Sequence, residues 1–380
     1  MVIALKTSTN ILLVFLFMAC TSVPDERMTS YADFPETREL TARTLSLDSA
    51  LFRYPYRVRI QDDKGVVLDL HGTEYFFHAF HYPGFHYLSS FGKRGDAPEE
   101  MLSAENLRWN GNFLWTLDSN KSELTRLGFA SSGDSLLRLE AVSLDEELLR
   151  ALDFVQYDDS TFIIPDYSGD SRFCLVSRQG KLLRKIGTIP TANEDALKSA
   201  RPALAQAWRS FIDYNPRNGV LAAVTQLGEV LEIYNLKDST HIVRIGPNGE
   251  PEFQIAQGYG IPTGIMGFSD IQVTDSAIYV VFQGRAFKDI MQKAKQGINL
   301  PDGGQYIYVF SLEGKPLRKY VLDHYIHGIS VDEQKGVIIA TDVNKDEPII
   351  EYRYHSAAKA KTHLVRIKNK PVLSYDDSVM

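Results

Sequence analysis

Six short apolar runs, each closed by Asp or Gln and a turn, recur along the chain and limit its fold more than any other feature. The runs cover residues 66–69, 113–118, 162–166, 220–226, 278–283 and 337–342. Their closing residues lie 49, 48, 60, 57 and 59 positions apart. A repeat of this length is typical of arrays of small sheets. A chain of 380 residues has room for two or three domains, but the repeat favours one continuous array.

Each run has further strand candidates around it. One precedes the run, as at 56–60, 269–273 and 327–331, and another follows it, as at 230–234 and 306–310. A fourth follows a Gly turn, and segments 177–186 and 311–320 are near copies of each other. Four short antiparallel strands per unit make the blade of a propeller. The sequence therefore predicts an all-β fold, a six-bladed β-propeller of four-stranded antiparallel blades.

The ring needs a device that closes it. The last unit, 324–354, shows three strand candidates, and residues 39–47 alternate near the start of the chain. We expect this N-terminal strand to complete the last blade, because an open ring leaves strand edges exposed.

Two helical insertions are also predicted. Residues 286–296 place apolar side chains at helical spacing, and a second helical stretch runs from 194 to 208 with Pro202 inside it.

The first residues indicate export. Residues 1–19 contain an apolar run at 11–18 of signal-peptide length. The segment that ends in Cys20 resembles a bacterial lipobox, which makes Cys20 the expected lipidation site; the alternative is an ordinary secretory signal with an incidental cysteine. We assign residues 20–37 to a tether, 38–354 to the propeller and 355–380 to a basic C-terminal tail.

Charge and cysteine content narrow the remaining functions. The chain has 41 basic and 48 acidic residues, so we expect no nucleic-acid partner. The tail is the local exception, and it either contacts a polyanion or is solvated; we expect the second. Its basic residues up to position 370 are Lys359, Lys361, Arg366, Lys368 and Lys370.

If Cys20 carries lipid, Cys174 is left without a disulfide partner, and its alternating apolar surroundings predict a buried thiol.

Four segments resemble the TolB-like six-bladed propeller lipoproteins of Bacteroidota: 89–101, 228–236, 267–284 and 347–352. The resemblance covers about residues 38–354. It implies the propeller fold and an outer-membrane lipoprotein of the cell envelope. It carries over no catalytic residue, ligand or cofactor.

Candidate binding residues lie on the innermost strands, where they would line the central channel. Propeller enzymes such as lactonases work there, often with a metal held by carboxylates and amides. The residues here form a mixed set with few carboxylates, which suits a hard cation poorly. The arginines fit either an anionic ligand or ion pairs with Asp, and we expect the ion pairs. The set comprises Arg57, Arg59, Arg108, Asp213, Asp270 and His327.

A histidine-rich segment allows two interpretations. It is either a metal site or aromatic packing with exposed imidazoles, and we expect the packing, because strand spacing would point neighbouring imidazoles to opposite sides. Its members are His71, His78, His81 and His86.

These features predict a monomeric, lipid-anchored envelope propeller that acts as a binding or scaffold module, without catalytic residues, metal or cofactor. Its expected partners are the membrane, through the N-terminal lipid, and an envelope protein or glycan ligand. Two alternatives stay open. One is a metal-dependent hydrolase or lactonase that uses the channel, and the other is a subunit of an envelope or glycan-uptake assembly.

Overall fold

In the computed structural model, residues 28–47 and 52–354 are described, and they form six small sheets around a central channel. The first strands of neighbouring sheets contact one another around most of the ring. The predictions for residues 1–19, for Cys20 and for the tail at 355–380 lie outside the described residues.

The strands follow in chain order. The N-terminal segment contributes β1 (Met28–Ser30), β2 (Thr37–Leu40) and β3 (Arg43–Thr44). The first blade comprises β4 (Pro55–Gln61), β5 (Lys64–Asp69), β6 (Tyr75–His81) and β7 (His86–Lys93). The second blade comprises β8 (Asn106–Asn110), β9 (Phe113–Asp118), β10 (Glu123–Phe129) and β11 (Leu136–Ser143). The third blade comprises β12 (Val155–Asp158), β13 (Thr161–Pro165), β14 (Phe173–Ser177) and β15 (Leu182–Ile186).

Insertions appear in the second half. Helices α1 (Glu194–Ser199) and α2 (Arg201–Ala207) precede the fourth blade, which comprises β16 (Ser210–Asn215), β17 (Val220–Thr225), β18 (Val230–Asn235) and β19 (Thr240–Ile245). A separate hairpin follows, made of β20 (Phe253–Ala256) and β21 (Tyr259–Pro262). The fifth blade comprises β22 (Phe268–Val273), β23 (Ala277–Phe282), helix α3 (Phe287–Lys295), β24 (Gly304–Ser311) and β25 (Pro316–Ile326). The sixth blade contains β26 (Ile329–Asp332), β27 (Val337–Thr341) and β28 (Ile349–Arg353).

The six apolar runs of the sequence are the second strands of the blades, as predicted. Every residue of β13, β17, β23 and β27 is buried. Such a strand lies between two strands of its own blade and has a neighbouring blade on each face, so no position along it meets water. The core therefore lies between blades; for example, Trp115 and Phe162 meet edge to face across the second and third blades, with ring centroids 5.0 Å apart.

The acidic residue that closes a second strand has a structural role. Asp69 accepts hydrogen bonds from the backbone N–H groups of Arg53 and Tyr54, at 2.8 and 2.7 Å. Asp118 does the same for Leu102 at 2.7 Å. These two carboxylates thereby fix the loops that lead into the first and second blades.

The N-terminal strand closes the ring as predicted, over a shorter span than the sequence indicated. Strand β3 pairs antiparallel with β28 and is the fourth strand of the sixth blade. Residues 37–40 do not take part; β2 instead adds a parallel fifth strand to the fifth blade, beside β25.

Part of the predicted tether, residues 20–37, lies on the propeller. Strand β1 adds a parallel strand to the fourth blade, where Met28 pairs with Val243. Phe34 then packs between the fourth and fifth blades, with its ring 4.6 Å from that of Tyr308. The segment is mostly polar, which predicted a tether. Its few apolar side chains nevertheless fill a gap between blades and hold the segment on the propeller.

Both helical insertions are present, with one change. The stretch at 194–208 is two short helices that break at Ala200, because Pro202 has no N–H to continue the first helix and is well placed near the start of a second. Helix α3 occupies the predicted position between the second and third strands of the fifth blade. None of the helices in the described residues has the length and apolar character that a bilayer span requires.

The two faces of the disc differ. We call the face where the first strands begin the upper face and the opposite one the lower face. Because the strands of a blade alternate in direction, connections between blades and between second and third strands lie on the upper face. The helices and the β20–β21 hairpin belong to these connections. The lower face carries the turns between first and second strands and between third and fourth strands.

Candidate functional site

Charged residues from five blades fill the channel. They are three arginines and three aspartates: Arg57 and Arg59 from β4, Arg108 from β8, Asp153 just before β12, Asp213 from β16 and Asp270 from β22. Five of the six candidate residues of the sequence analysis belong to this network, and the ion pairs expected there are present.

Asp270 is shared by two cations. The Arg57 guanidinium donates to its Oδ1 atom, and Arg59 donates to Oδ1 at 2.7 Å and to Oδ2 at 2.8 Å. Burial alone would disfavour the carboxylate, but the two guanidiniums outweigh it and hold the pKa of Asp270 well below its usual range. The Arg57 guanidinium also lies between two aromatic rings, 4.8 Å from that of Tyr56 and 4.4 Å from that of Phe211.

Arg108 has the opposite arrangement to Asp270, because its one guanidinium lies between two carboxylates. Its Nη2 atom lies 3.1 Å from Asp153 Oδ1, and its Nη1 atom lies 2.9 Å from Asp213 Oδ1. Burial raises the pKa of Asp213 although Arg108 opposes the shift. A single guanidinium divided between two anions compensates each of them less than a pair of guanidiniums compensates Asp270.

The channel aspartates also join neighbouring blades. Asp153 accepts from Ile212 N at 2.9 Å, Asp213 from Val273 N at 2.7 Å, and Asp270 from Ile329 N at 2.9 Å. Each acceptor thus fixes the first strand of the next blade. These contacts occupy the carboxylate oxygens and give the network a structural role.

His327 lies apart from this network, at the upper end of the channel. Its Nε2 atom is 3.1 Å from Tyr54 Oη and 3.3 Å from Asp302 Oδ1, and Tyr54 donates to Asp302 Oδ2 at 2.5 Å. The hydrogen bond with His327 and then that with Tyr54 lower the pKa of Asp302, although its partial burial opposes them. Asp302 belongs to the connection after α3, so the cluster fastens that insertion to the first and sixth blades.

On the lower face, an open cavity of about 220 Å³ lies below Arg108 and Asp213. Tyr214 and Tyr157 form one wall, with ring centroids 5.6 Å apart. Asn110 Nδ2 donates to Gln156 Oε1 at 2.5 Å. We call this space the Tyr214 cavity; its lining includes Trp109, Asn110, Gln156, Tyr157, Asp158 and Tyr214.

A second lower cavity of about 370 Å³ lies among the fifth, sixth and first blades. Gln272 spans its wall, accepting from Val331 N at 2.7 Å. We call it the Ser330 cavity; its lining includes Gln61, Asp62, Tyr82, Gln272, Ser330 and Asp332. Gln61, Asp62 and Trp109 also line a third cavity of about 460 Å³. The lower cavities therefore share walls and form a row around the channel.

The model of the family described as TolB-like 6-blade propeller-like matches residues 33–334. The chain belongs to this family. No curated protein sequence matches it.

Solved structures similar to this TolB-like propeller share its fold at low sequence identity. A putative exported protein from Bacteroides fragilis is 10% identical, with 86% of this chain and 98% of that chain covered and a TM-score of 0.52. A member of the DUF4221 family from Bacteroides vulgatus is also 10% identical, covers 83% and 95%, and has a TM-score of 0.50. An auxiliary nutrient binding protein from Bacteroides ovatus is 9% identical, covers 83% and 76%, and has a TM-score of 0.51.

The other chemical candidates of the sequence are dispersed. In residues 28–47 and 52–354, no three His, Cys, Asp or Glu side chains are grouped to hold a metal. His78 bonds to Ser90 Oγ at 2.8 Å, whereas His71 packs against the Tyr54 ring at 4.8 Å. Cys174 is buried, as predicted, and burial raises the pKa of its thiol to about 12.

Sequence reasoning missed several residues of these sites. Asp153 could have been found, since it lies 60 positions before Asp213, which lies 57 before Asp270, and these are also the spacings of the landmark runs. Asp302 lies in an insertion that no repeat marks. Trp109 and Tyr214 directly follow the candidates Arg108 and Asp213, but only the folded ring brings them together at the lower end of the channel.

Proposed function

We propose that this TolB-like propeller is a lipid-anchored binding module of the bacterial envelope that holds a neutral glycan on its lower face. The observation that carries the proposal is the row of shared-wall cavities, lined by amide, carboxylate and aromatic side chains, around a channel whose charges pair with one another.

The lining favours a neutral polar ligand. An amide side chain has two N–H donors and two acceptor sites, so Asn110 and Gln156, which bond to each other at the rim of the Tyr214 cavity, have further donors and acceptors for sugar hydroxyls. The rings of Tyr157 and Tyr214 offer apolar faces to the C–H side of a sugar. The Tyr214 cavity suits an anionic ligand less well, because Arg108 at its floor already forms ion pairs with Asp153 and Asp213.

The channel contacts support binding over catalysis. A metal-dependent hydrolase would need several oxygen ligands free to face one cation, whereas both oxygens of Asp270 already accept from Arg59 or from the backbone of Ile329. Stoichiometric calcium that is lost on substituting Asp270 would favour the hydrolase instead.

The anchor rests on Cys20, and the ligand class agrees with the nutrient binding described for the Bacteroides ovatus protein of similar fold. A glycan-binding module held at the membrane would also suit a subunit of an uptake assembly. Recovery of the protein together with membrane partners after crosslinking would favour that role.

Calorimetric titration of the purified full chain with maltoheptaose, xylohexaose and laminarihexaose tests the ligand class. We expect one of these oligosaccharides to bind, and we expect Tyr214→Ala to weaken binding about fivefold, since an aromatic contact is worth about 1 kcal/mol. Gln156→Leu, which removes hydrogen bonds and keeps the volume, should also weaken it.

Matched controls lie on the upper face. Tyr259→Ala and Gln254→Leu make the same changes on the β20–β21 hairpin and should leave the affinity unchanged. Absence of binding by all three oligosaccharides, or an equal loss in both pairs of variants, would contradict the proposal.

A further inference from the structure

The third cavity of the lower face, of about 460 Å³, is lined by aromatic rings, and we call it the Phe129 cavity. The rings of Trp109 and Phe129 lie nearly parallel, with centroids 6.3 Å apart and an angle of 13° between their planes. Phe113 and Leu139 border the same space and are 40% and 47% exposed. Aromatic faces that solvent can reach are suited to the C–H side of a sugar ring.

Polar side chains surround these rings. Gln61, Asp62 and Asp63 line the Phe129 cavity. Asp63 forms an ion pair with Lys64 at 3.3 Å, and the Lys64 ammonium lies 5.4 Å from the centre of the Phe129 ring. With two carboxylates against one ammonium, this rim can accept hydrogen bonds from hydroxyl groups and disfavours a sugar that carries negative charge.

Trp109 is a wall common to two cavities, since it lines both the Phe129 cavity and the Tyr214 cavity. Its Nε1 atom donates to Arg59 O at 3.3 Å, and the Arg59 guanidinium donates to Asp270 Oδ1 at 2.7 Å. The indole is therefore attached to the first blade at the edge of the channel. A ligand that passes from one cavity to the other meets a wall whose position is fixed before binding, which lowers the entropic cost of binding.

The row of cavities continues on both sides of this wall. Asn110 and Gln156 line the Tyr214 cavity and also a further cavity of about 420 Å³. In the other direction, Gln61 and Asp62 line both the Phe129 cavity and the Ser330 cavity. A ligand chain that fills the two middle cavities therefore has space to continue at either end.

The Tyr214 cavity is too small to enclose a long ligand. Its volume of about 220 Å³ lies below the range of about 300–1,000 Å³ that is usual for pockets that enclose a drug-sized molecule. An oligosaccharide of several units must therefore extend beyond it, and the Phe129 cavity offers the nearest aromatic surface across Trp109.

We propose that the Tyr214 and Phe129 cavities bind successive sugar units of one linear neutral glycan, whose chain crosses Trp109 and continues at both ends. This inference rests on the proposed function and deepens it, because it assigns the ligand to an internal segment of a polysaccharide. Mono- and disaccharides fill only part of such a site.

Calorimetric titration of the full chain with malto-, xylo- and laminari-oligosaccharides of increasing length, from disaccharide to hexasaccharide, tests the proposal. In the series that binds, we expect the affinity to rise at least about fivefold over this range, because the longer chain gains an aromatic contact in the Phe129 cavity. The disaccharide, which occupies the Tyr214 cavity, lacks that contact.

Two variants locate the gain. Phe113→Ala, at an exposed position that should not affect folding, should reduce the rise to less than about twofold, since it removes an aromatic contact. It should leave the affinity for the disaccharide unchanged. Leu139→Ala, which alters the same cavity, should also reduce the rise. Tyr259→Ala, at an exposed aromatic position on the upper face, is the matched control and should keep the full rise.

A chemical change at the chain end gives a second test. Borohydride reduction opens the terminal sugar of the hexasaccharide and leaves the internal units intact. Because the row continues past both cavities, the reduced hexasaccharide should bind as tightly as the parent. Loss of binding on reduction would indicate a pocket for the chain end and would overturn the inference.

The outcomes separate this inference from the proposed function. If all lengths bind with equal affinity, one cavity holds the ligand, which overturns the inference and leaves the proposed function standing. If the full rise persists in Phe113→Ala and Leu139→Ala, the chain does not cross Trp109, which also overturns the inference alone. If no member of any series binds, the proposed function fails, and the inference fails with it.

Discussion

At the residue scale, the channel aspartates differ in how many cations they share. Asp270 has two guanidiniums within hydrogen-bond distance, whereas Asp213 shares the single guanidinium of Arg108 with Asp153. The pKa shifts of the two carboxyls are accordingly opposite, lowered for Asp270 and raised for Asp213. The same residue type in the same kind of strand therefore contributes differently to stability.

This asymmetry predicts unequal effects of two isosteric changes. Asp270→Asn leaves Arg57 and Arg59 buried without a counter-charge and should cost about 3–5 kcal/mol of unfolding free energy. Asp213→Asn leaves Arg108 paired with Asp153 but removes one of the two acceptors that Arg108 and Val273 N use, and it should cost about 1–2 kcal/mol. Urea denaturation of both variants at neutral pH measures the two costs. Similar losses in the two variants would contradict the account.

The lowered pKa of Asp270 also predicts how its contribution to stability changes with pH. Because the pKa of Asp270 is lowered in the fold, its contribution is present above the usual Asp value of about 4 and is lost as the pH falls toward the folded value. Part of the acid sensitivity of the wild type should therefore be missing in Asp270→Asn.

At the scale of elements, the N-terminal segment is attached to three blades. Strands β1, β2 and β3 join the fourth, fifth and sixth blades in turn. Phe34 anchors the first crossing, and its ring lies 5.2 Å from that of Phe310 as well as close to Tyr308. The segment thus does more than close the ring, since it also covers the outer edges of two further blades.

Phe34→Ala should release this segment. Loss of a buried phenylalanine costs about 3–5 kcal/mol, and we expect the cost to appear as faster hydrogen exchange over residues 28–40 with the other blades unchanged. Met28→Ala, at an exposed position of the same segment, is the control and should leave the exchange unaltered. Uniformly faster exchange in all blades would show that the segment is not a separate unit.

Much of the element pattern could be predicted, for a physical reason. Second strands are buried on both faces, so their apolar runs are continuous and recur with the blade; Val220–Thr225 is an example. Pairing partners could not be predicted for the N-terminal strands. The alternation of apolar and polar side chains at 39–47 indicates a strand but does not indicate which strand pairs with it. The sequence predicted one helical stretch at 194–208, whereas the structure has two short helices there that break just before Pro202.

For the whole molecule, the two faces carry different chemistry. The helices and the β20–β21 hairpin lie on one side, and the Tyr214 and Ser330 cavities lie on the other. The sequence indicated the channel residues, since they fall on the first strands, and most of them turned out to pair with each other. It could not indicate the lower cavities, because Trp109, Gln156 and Tyr214 come from three blades and meet only when the ring closes.

Hydrogen–deuterium exchange of the full chain, with and without saturating maltoheptaose, xylohexaose or laminarihexaose, tests the central claim most directly. The account predicts that one of these glycans slows exchange in the segments that line the Tyr214 cavity, residues 108–110, 155–159 and 213–216. It predicts no change over the β20–β21 hairpin or α3. No slowing with any of the three, or slowing confined to the upper face, would contradict a glycan site on the lower face.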